Sequence, residues 1–150
     1  MNKAFKVIPV GITSAIVVAG IAYFSLWPDP MNGMRLHLFP HSDKVFHGLM
    51  YFTATIAFLI DYATHRLPHH TKLNHECALT ATAMLIGLIM EILQLAMQVG
   101  RGYDNMDIAA NCTGAFLGLL LMKWKGIKTY RHAMLNTRRH HHKHHHHTSE

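Results

Sequence analysis

Charge is scarce in this chain. Only 15% of its 150 residues are Asp, Glu, Lys or Arg, against roughly 25% in soluble proteins. Such a deficit argues against a fold bathed in water on all sides. Cysteine is scarcer still: Cys77 and Cys112 lie inside or beside apolar stretches. Neither falls in a Cys-x-x-Cys or another ligand spacing, so both read as small apolar residues. There is no internal repeat and no second soluble domain, and the length leaves room for one domain. A net charge of +6 invites a nucleic-acid reading, but half of the 14 Lys and Arg follow residue 122. No recognition helix or aromatic RNA-binding motif accompanies them, so no nucleic acid is expected as a partner. A basic cytoplasmic tail beside anionic lipid accounts for them better.

What the chain does have is apolar sequence in blocks. Half of its residues are hydrophobic, and the mean hydropathy of +0.11 averages these blocks with a very polar tail. The first block, Val7 to Leu26, carries no charge and follows Lys3 and Lys6. It is longer than the apolar stretch of a signal peptide, about 7–15 residues, so an uncleaved span is expected. Trp27-Pro28-Asp29-Pro30 ends it, since proline cannot continue a helix and tryptophan suits the interface. Further spans are expected at about 45–63, 78–97 and 107–124, the last anchored by Lys123-Trp124-Lys125. The fold class expected is thus all-α, a four-transmembrane-helix bundle over residues 1–126. Residues 127–150 follow as a basic, His-rich, disordered tail. With this layout eleven Lys and Arg fall on the side of the termini and three, Arg35, Lys44 and Arg101, on the other. The positive-inside rule then puts both termini in the cytoplasm, in a multi-pass protein whose first partner is the bilayer.

Polar residues interrupt the blocks in four groups, all at the expected outer end. Asp43, His47 and Tyr51 are spaced i, i+4, i+8 along one helix face, with Lys44 beside the first. Glu91 and Gln94 sit near the end of the third span. Arg101, Asp104 and Asp107 follow, and Asp107, Asn111, Gly114 and Gly118 form a further one-face stripe. Glu91 lies roughly 9 Å inside its span at about 1.5 Å per residue. A carboxylate at that depth needs a partner, Arg101, His47 or Lys44, or it holds a proton. Each residue also has a plainer reading. Asp43 and Asp107 suit helix N-caps, and Gly114-x-x-x-Gly118 suits a packing face. Tyr51 suits an interface anchor, and Arg101 with Asp104 a loop ion pair. Their convergence at one depth is what points to a site.

In this order and spacing the residues resemble the VanZ-like family of small bacterial membrane proteins. The resemblance is carried by Asp43-Lys44-x-x-His47-x-x-x-Tyr51 and Glu91-x-x-Gln94. It continues in Arg101-x-x-Asp104-x-x-Asp107-x-x-x-Asn111-x-x-Gly114-x-x-x-Gly118 and covers roughly residues 40–122. It implies a protein of the bacterial cytoplasmic membrane and marks Asp43, His47, Glu91, Gln94, Arg101, Asp107 and Asn111 as signature positions. The founding member is associated with resistance to teicoplanin, so a cell-envelope role is implied, without a reaction or a substrate.

Three functions follow as expectations. The first is an outward-facing pocket for a lipid-linked or cell-wall-related ligand. In it Arg101 and Lys44 would hold an anionic head, and Gln94, Asn111, Asp104 and Tyr51 would line the site. The second is an enzyme on the same site, with His47 as acid or base beside Asp43, Glu91 or Asp107. The third is metal handling by the histidine-rich parts. His140, His141, His142, His144, His145, His146 and His147 surround Lys143 in the tail, and His65, His69, His70 and His75 lie in the second loop. Neutral imidazoles at this density bind Zn²⁺ or Ni²⁺ weakly. No other cofactor is expected.

Overall fold

The computed structural model describes residues 11–26, 42–65, 71–97 and 104–126, with Thr129 and His132 beyond them. Regular structure among these residues is entirely helical: α1 (Ile12–Leu26), α2 (Ser42–His65), α3 (Leu73–Met97) and α4 (Asn105–Leu121). A π-helical turn, Met122–Gly126, continues α4. Three stretches, Ser42–His65, Leu73–Met97 and Asn105–Trp124, are long and apolar enough to cross a membrane. α1 has 15 residues, and positions 7–10 of its expected span lie outside the described residues. The His-rich tail, His69 and His70 lie outside them as well.

The helices extend past the apolar blocks. α2 starts at Ser42 and α3 at Leu73, ahead of the expected 45 and 78. Hydropathy marks the part of a helix that can touch lipid, whereas backbone hydrogen bonding continues into the interface. α4 corrects one expectation outright. Its N-cap is Asp104, in extended backbone, whose side chain accepts from the Met106 N–H at 2.8 Å. Asp107 is therefore not the cap but a residue of the first turn, with its carboxylate free to face α2. The three-residue shift follows from sterics and polarity: only residue 104 has both a carboxylate and an extended conformation at the point where the first amides need an acceptor.

Contacts between the ends show that consecutive helices run in opposite directions. At one end Gln94 of α3 donates to the Ser25 carbonyl of α1 at 2.8 Å, and Lys44 of α2 meets the start of α4. At the other end Asp61 of α2 accepts from Ser14 of α1 through its N–H (2.9 Å) and hydroxyl (2.5 Å). Glu76 of α3 pairs with Lys123 at 2.9 Å. Asp61 thus serves as a cap supplied by a neighbouring helix, satisfying an orphan amide in the first turn of α1.

Packing is closest between α2 and α4, and glycine makes it possible. A Cβ at Gly114 would collide with the Gly48 carbonyl, and one at Gly118 would sit 2.9 Å from the Phe52 carbonyl oxygen. The expected packing-face reading of Gly114 and Gly118 holds. The interior mixes small and polar residues with a few large apolar ones: Ala54, Ala83 and Ala115 are buried together with Thr55, Thr80, Glu91 and Asn111, beside Tyr51, Phe58 and Leu59. Large aliphatics such as Ile16, Leu49, Leu85 and Leu95 are exposed. That distribution inverts the soluble pattern and suits an apolar surround. Thr53, Thr64, Thr80, Thr82 and Thr113 close bonds to the carbonyl four residues back, as Thr80 does with Glu76, so they cost little in such a surround.

Candidate functional site

The polar residues of the α2 N-terminus, the α3 C-terminal half and the α4 N-terminus converge at one end of the molecule. The cluster has an exposed rim and a buried base. At the rim the Lys44 ammonium donates to Asp104 at 2.5 Å and to Asp107 at 2.8 Å, and lies 3.6 Å from Asp43. Asp104 thereby does two jobs: one oxygen caps α4 and the other holds Lys44. Asp43 stays exposed, in the first turn of α2, where its charge suits the helix dipole.

Beneath the rim, His47 is 3% exposed, Glu91 1% and Asn111 1%. His47 Nδ1 is 3.2 Å from Asn111 Oδ1 and 3.8 Å from Glu91 Oε1, and its Nε2 is 3.9 Å from Asp107 Oδ2. One donor atom from each of His47, Glu91 and Asp107 can be chosen so that all three lie within 4.8 Å of one another. Both Glu91 oxygens, the Tyr51 hydroxyl and the Asn111 amide nitrogen lack a hydrogen-bond partner among the described residues. The Asp104 backbone amide faces Glu91 without closing a bond to it. Leaving such groups unpaired is costly, and a carboxylate more so than an amide. Gly87 of α3 keeps room beside them: a Cβ there would approach Asn111 Cβ at 3.1 Å and Tyr51 Cε1 at 3.3 Å.

Of the expected site residues, the structure therefore gathers Lys44, His47, Tyr51, Glu91, Asp104, Asp107 and Asn111, with Asp43 at the edge. Gln94 is buried nearby but is committed to the α1 carbonyl. Arg101 lies outside the described residues. Lys44, expected as a possible partner of Glu91 and holder of an anionic head, is instead enclosed by aspartates. Two further buried acids, Asp61 and Glu76, escaped the sequence reading. Their signal was present, since each is an acid inside or beside an apolar block, but both sit at the opposite end and are already partnered.

An apolar groove of about 210 Å³ runs between α1 and α2, lined by Val17, Ile21, Phe24, Phe46, Leu49 and Met50. It contains none of the cluster residues. Its upper rim is nevertheless level with them: Phe46 adjoins His47, and Phe24 adjoins Ser25, whose carbonyl holds Gln94.

Fold and site define a helical protein with three helices fit to cross a membrane and a buried acid–histidine cluster at one end. Comparison with known protein families, curated proteins and solved structures finds no match. The resemblance to VanZ-like proteins thus rests on its residues alone.

Proposed function

We propose that this chain is a VanZ-like protein of the bacterial cytoplasmic membrane, spanning it four times with both termini inside. Its outer-end cluster receives the polar head of a lipid-linked, cell-wall-related ligand. The observation that supports this most is the coincidence, at one depth, of buried polar atoms without a partner among the described residues (the Tyr51 hydroxyl, the Glu91 carboxylate, the Asn111 amide nitrogen) with the rim of an apolar groove. A polar head has unsatisfied donors and acceptors to meet, and an acyl or prenyl tail has a channel to lie along. Because Lys44 is already shared among three aspartates, recognition falls more on Asn111 and Tyr51 than on a free cation.

Titration of purified protein with lipid-linked cell-wall precursors and with ordinary phospholipids tests the reading. Saturable binding of a precursor, weakened about 5–30-fold by Asn111→Ala, is expected from the loss of one or two buried hydrogen bonds at about 1 kcal/mol each. Affinity unchanged in Asn111→Ala and Tyr51→Phe would sink the assignment.

A second reading is a membrane-embedded enzyme acting on the same ligand. It is favoured by His47 lying between two carboxylates with its ring held by Asn111, an arrangement that suits a general acid or base. Following the titrated lipid for chemical change in the same samples separates the two. Turnover absent from His47→Ala would support the enzyme, and turnover retained there would remove the histidine from it.

A further inference from the structure

We propose that His47, Glu91 and Asp107 bind a divalent transition-metal ion of the Zn²⁺ or Mn²⁺ kind at the base of the cluster. The inference concerns the same site as the proposed lipid-head binding and rests on the reading that this cluster takes a ligand.

The distances carry it first. His47 lies 3.8 Å from a Glu91 oxygen and 3.9 Å from an Asp107 oxygen, too far for a hydrogen bond in either case. They involve opposite ring nitrogens; with Nδ1 on Asn111, Nε2 is the nitrogen that would take an ion, and donors each about 2.0–2.2 Å from a shared metal lie about 3–4 Å from one another. One donor atom from each of the three residues already lies within 4.8 Å of the other two, so binding requires them to close by up to about 1 Å.

The burial of Glu91 is the second and independent observation. It is 1% exposed and neither of its oxygens finds a hydrogen-bond donor among the described residues. A carboxylate sealed in this way requires a cation or a proton. The nearest ammonium, Lys44, is bonded to Asp104 and Asp107 instead. Among the described residues, Asp43, Asp104, Asp107 and Glu91 gather around one ammonium.

Around the three donors stands the support that metal ligands usually have. Asn111 holds His47 by its ring nitrogen, which sets the ring before an ion arrives. Lys44 occupies Asp107 Oδ1 and leaves Oδ2 turned toward His47. Rigid helices supply every donor: His47 from α2, Glu91 from α3 and Asp107 from α4. One imidazole with two carboxylates favours Zn²⁺ or Mn²⁺ over Mg²⁺ and Ca²⁺, which prefer all-oxygen shells. Held there, the ion would present its open positions to a phosphate or carboxylate head that the surrounding aspartates alone would repel.

The test must silence the tail and the second loop, whose imidazoles bind the same metals. A full-length variant with the histidines of residues 140–147, and His65, His69, His70 and His75 of the second loop, changed to asparagine is purified in detergent, stripped with chelator and titrated with Zn²⁺ and Mn²⁺. Metal content and thermal unfolding are both recorded. One ion per chain is expected, with Tm rising as the ion is added. Adding Glu91→Gln or His47→Ala should abolish both effects, and adding Asn111→Ala should weaken binding about 10–100-fold. X-ray absorption at the zinc edge needs no site variant and guards against a substitution that fails to fold. It should show one imidazole in a shell otherwise made of oxygen. Absence of stoichiometric uptake, uptake retained in Glu91→Gln, or a shell of several imidazoles would overturn the proposal. Lipid titration in chelator keeps the two readings distinguishable. Lipid binding without metal uptake would overturn the ion alone, and metal uptake without lipid binding would overturn the lipid reading alone.

Discussion

Single side chains in this protein act across long sequence distances, and Asp61 is the clearest case. It sits near the end of α2 and accepts from both the backbone and the hydroxyl of Ser14, 47 residues earlier. Asp61 is 9% exposed, and its loss leaves the Ser14 amide without its acceptor. Asp61→Ala is expected to cost about 1–2 kcal/mol, the usual range for a lost helix cap. Asp61→Asn keeps an acceptor oxygen and should recover most of that. Thermal unfolding in detergent measures both, and equal melting of Asp61→Ala and the parent would show that α1 is held by its apolar contacts alone. Nothing in the sequence around residue 61 names Ser14 as the partner. An acid at the edge of an apolar run reads as an interfacial residue until the fold supplies its neighbour.

At the scale of whole helices the α2–α4 contact is asymmetric, and the asymmetry is testable. A Cβ on Gly114 runs into the Gly48 backbone, whereas a Cβ on Gly48 meets only the Ala110 carbonyl oxygen, at 3.4 Å. Gly114→Ala must push two backbones apart and should destabilise by about 1–3 kcal/mol, as overpacking does. Gly48→Ala should be nearly neutral, since ordinary contact is offset by the better helix propensity of alanine. Melting curves of the two variants that coincide would refute this account of the interface. Much of this level was legible beforehand. Apolar blocks located the four helices, and the offsets of 4, 7 and 11 from Asp107 placed Asn111, Gly114 and Gly118 on one face. What the pattern could not supply was rotation between helices. It did not decide that Lys44 turns to Asp104 and Asp107 instead of Glu91. Nor could apolar periodicity separate Asp104 from Asp107 as the start of α4, because capping depends on backbone angles and periodicity reports only burial.

For the whole molecule the open question is which end faces out. With both termini inside, the Lys44 end is external and the Glu76 end internal. In a background of Cys77→Ala and Cys112→Ala, a cysteine at Asp43, which is exposed, should react with a membrane-impermeant thiol reagent on intact cells. A cysteine at Lys72, exposed at the opposite end, should react only after the cells are opened. The reverse labelling would invert the protein and place the acid–histidine cluster on the cytoplasmic side, where cell-wall precursors are made and not where they are used.

The backbone contact at Gly48 and Gly114 has a mechanical consequence. Where two helices touch at their main chains, no side chain stands between them at that point to rearrange, so α2 and α4 behave as the fixed jaw of a clamp. Of the three proposed metal donors, that jaw carries His47 and Asp107, and it also carries Lys44 and Asn111. Glu91 alone comes from α3, the opposing jaw, with Gly87 one turn away against Asn111 and Tyr51. Whatever draws the three donors together must therefore draw Glu91, and with it α3, toward the α2–α4 pair.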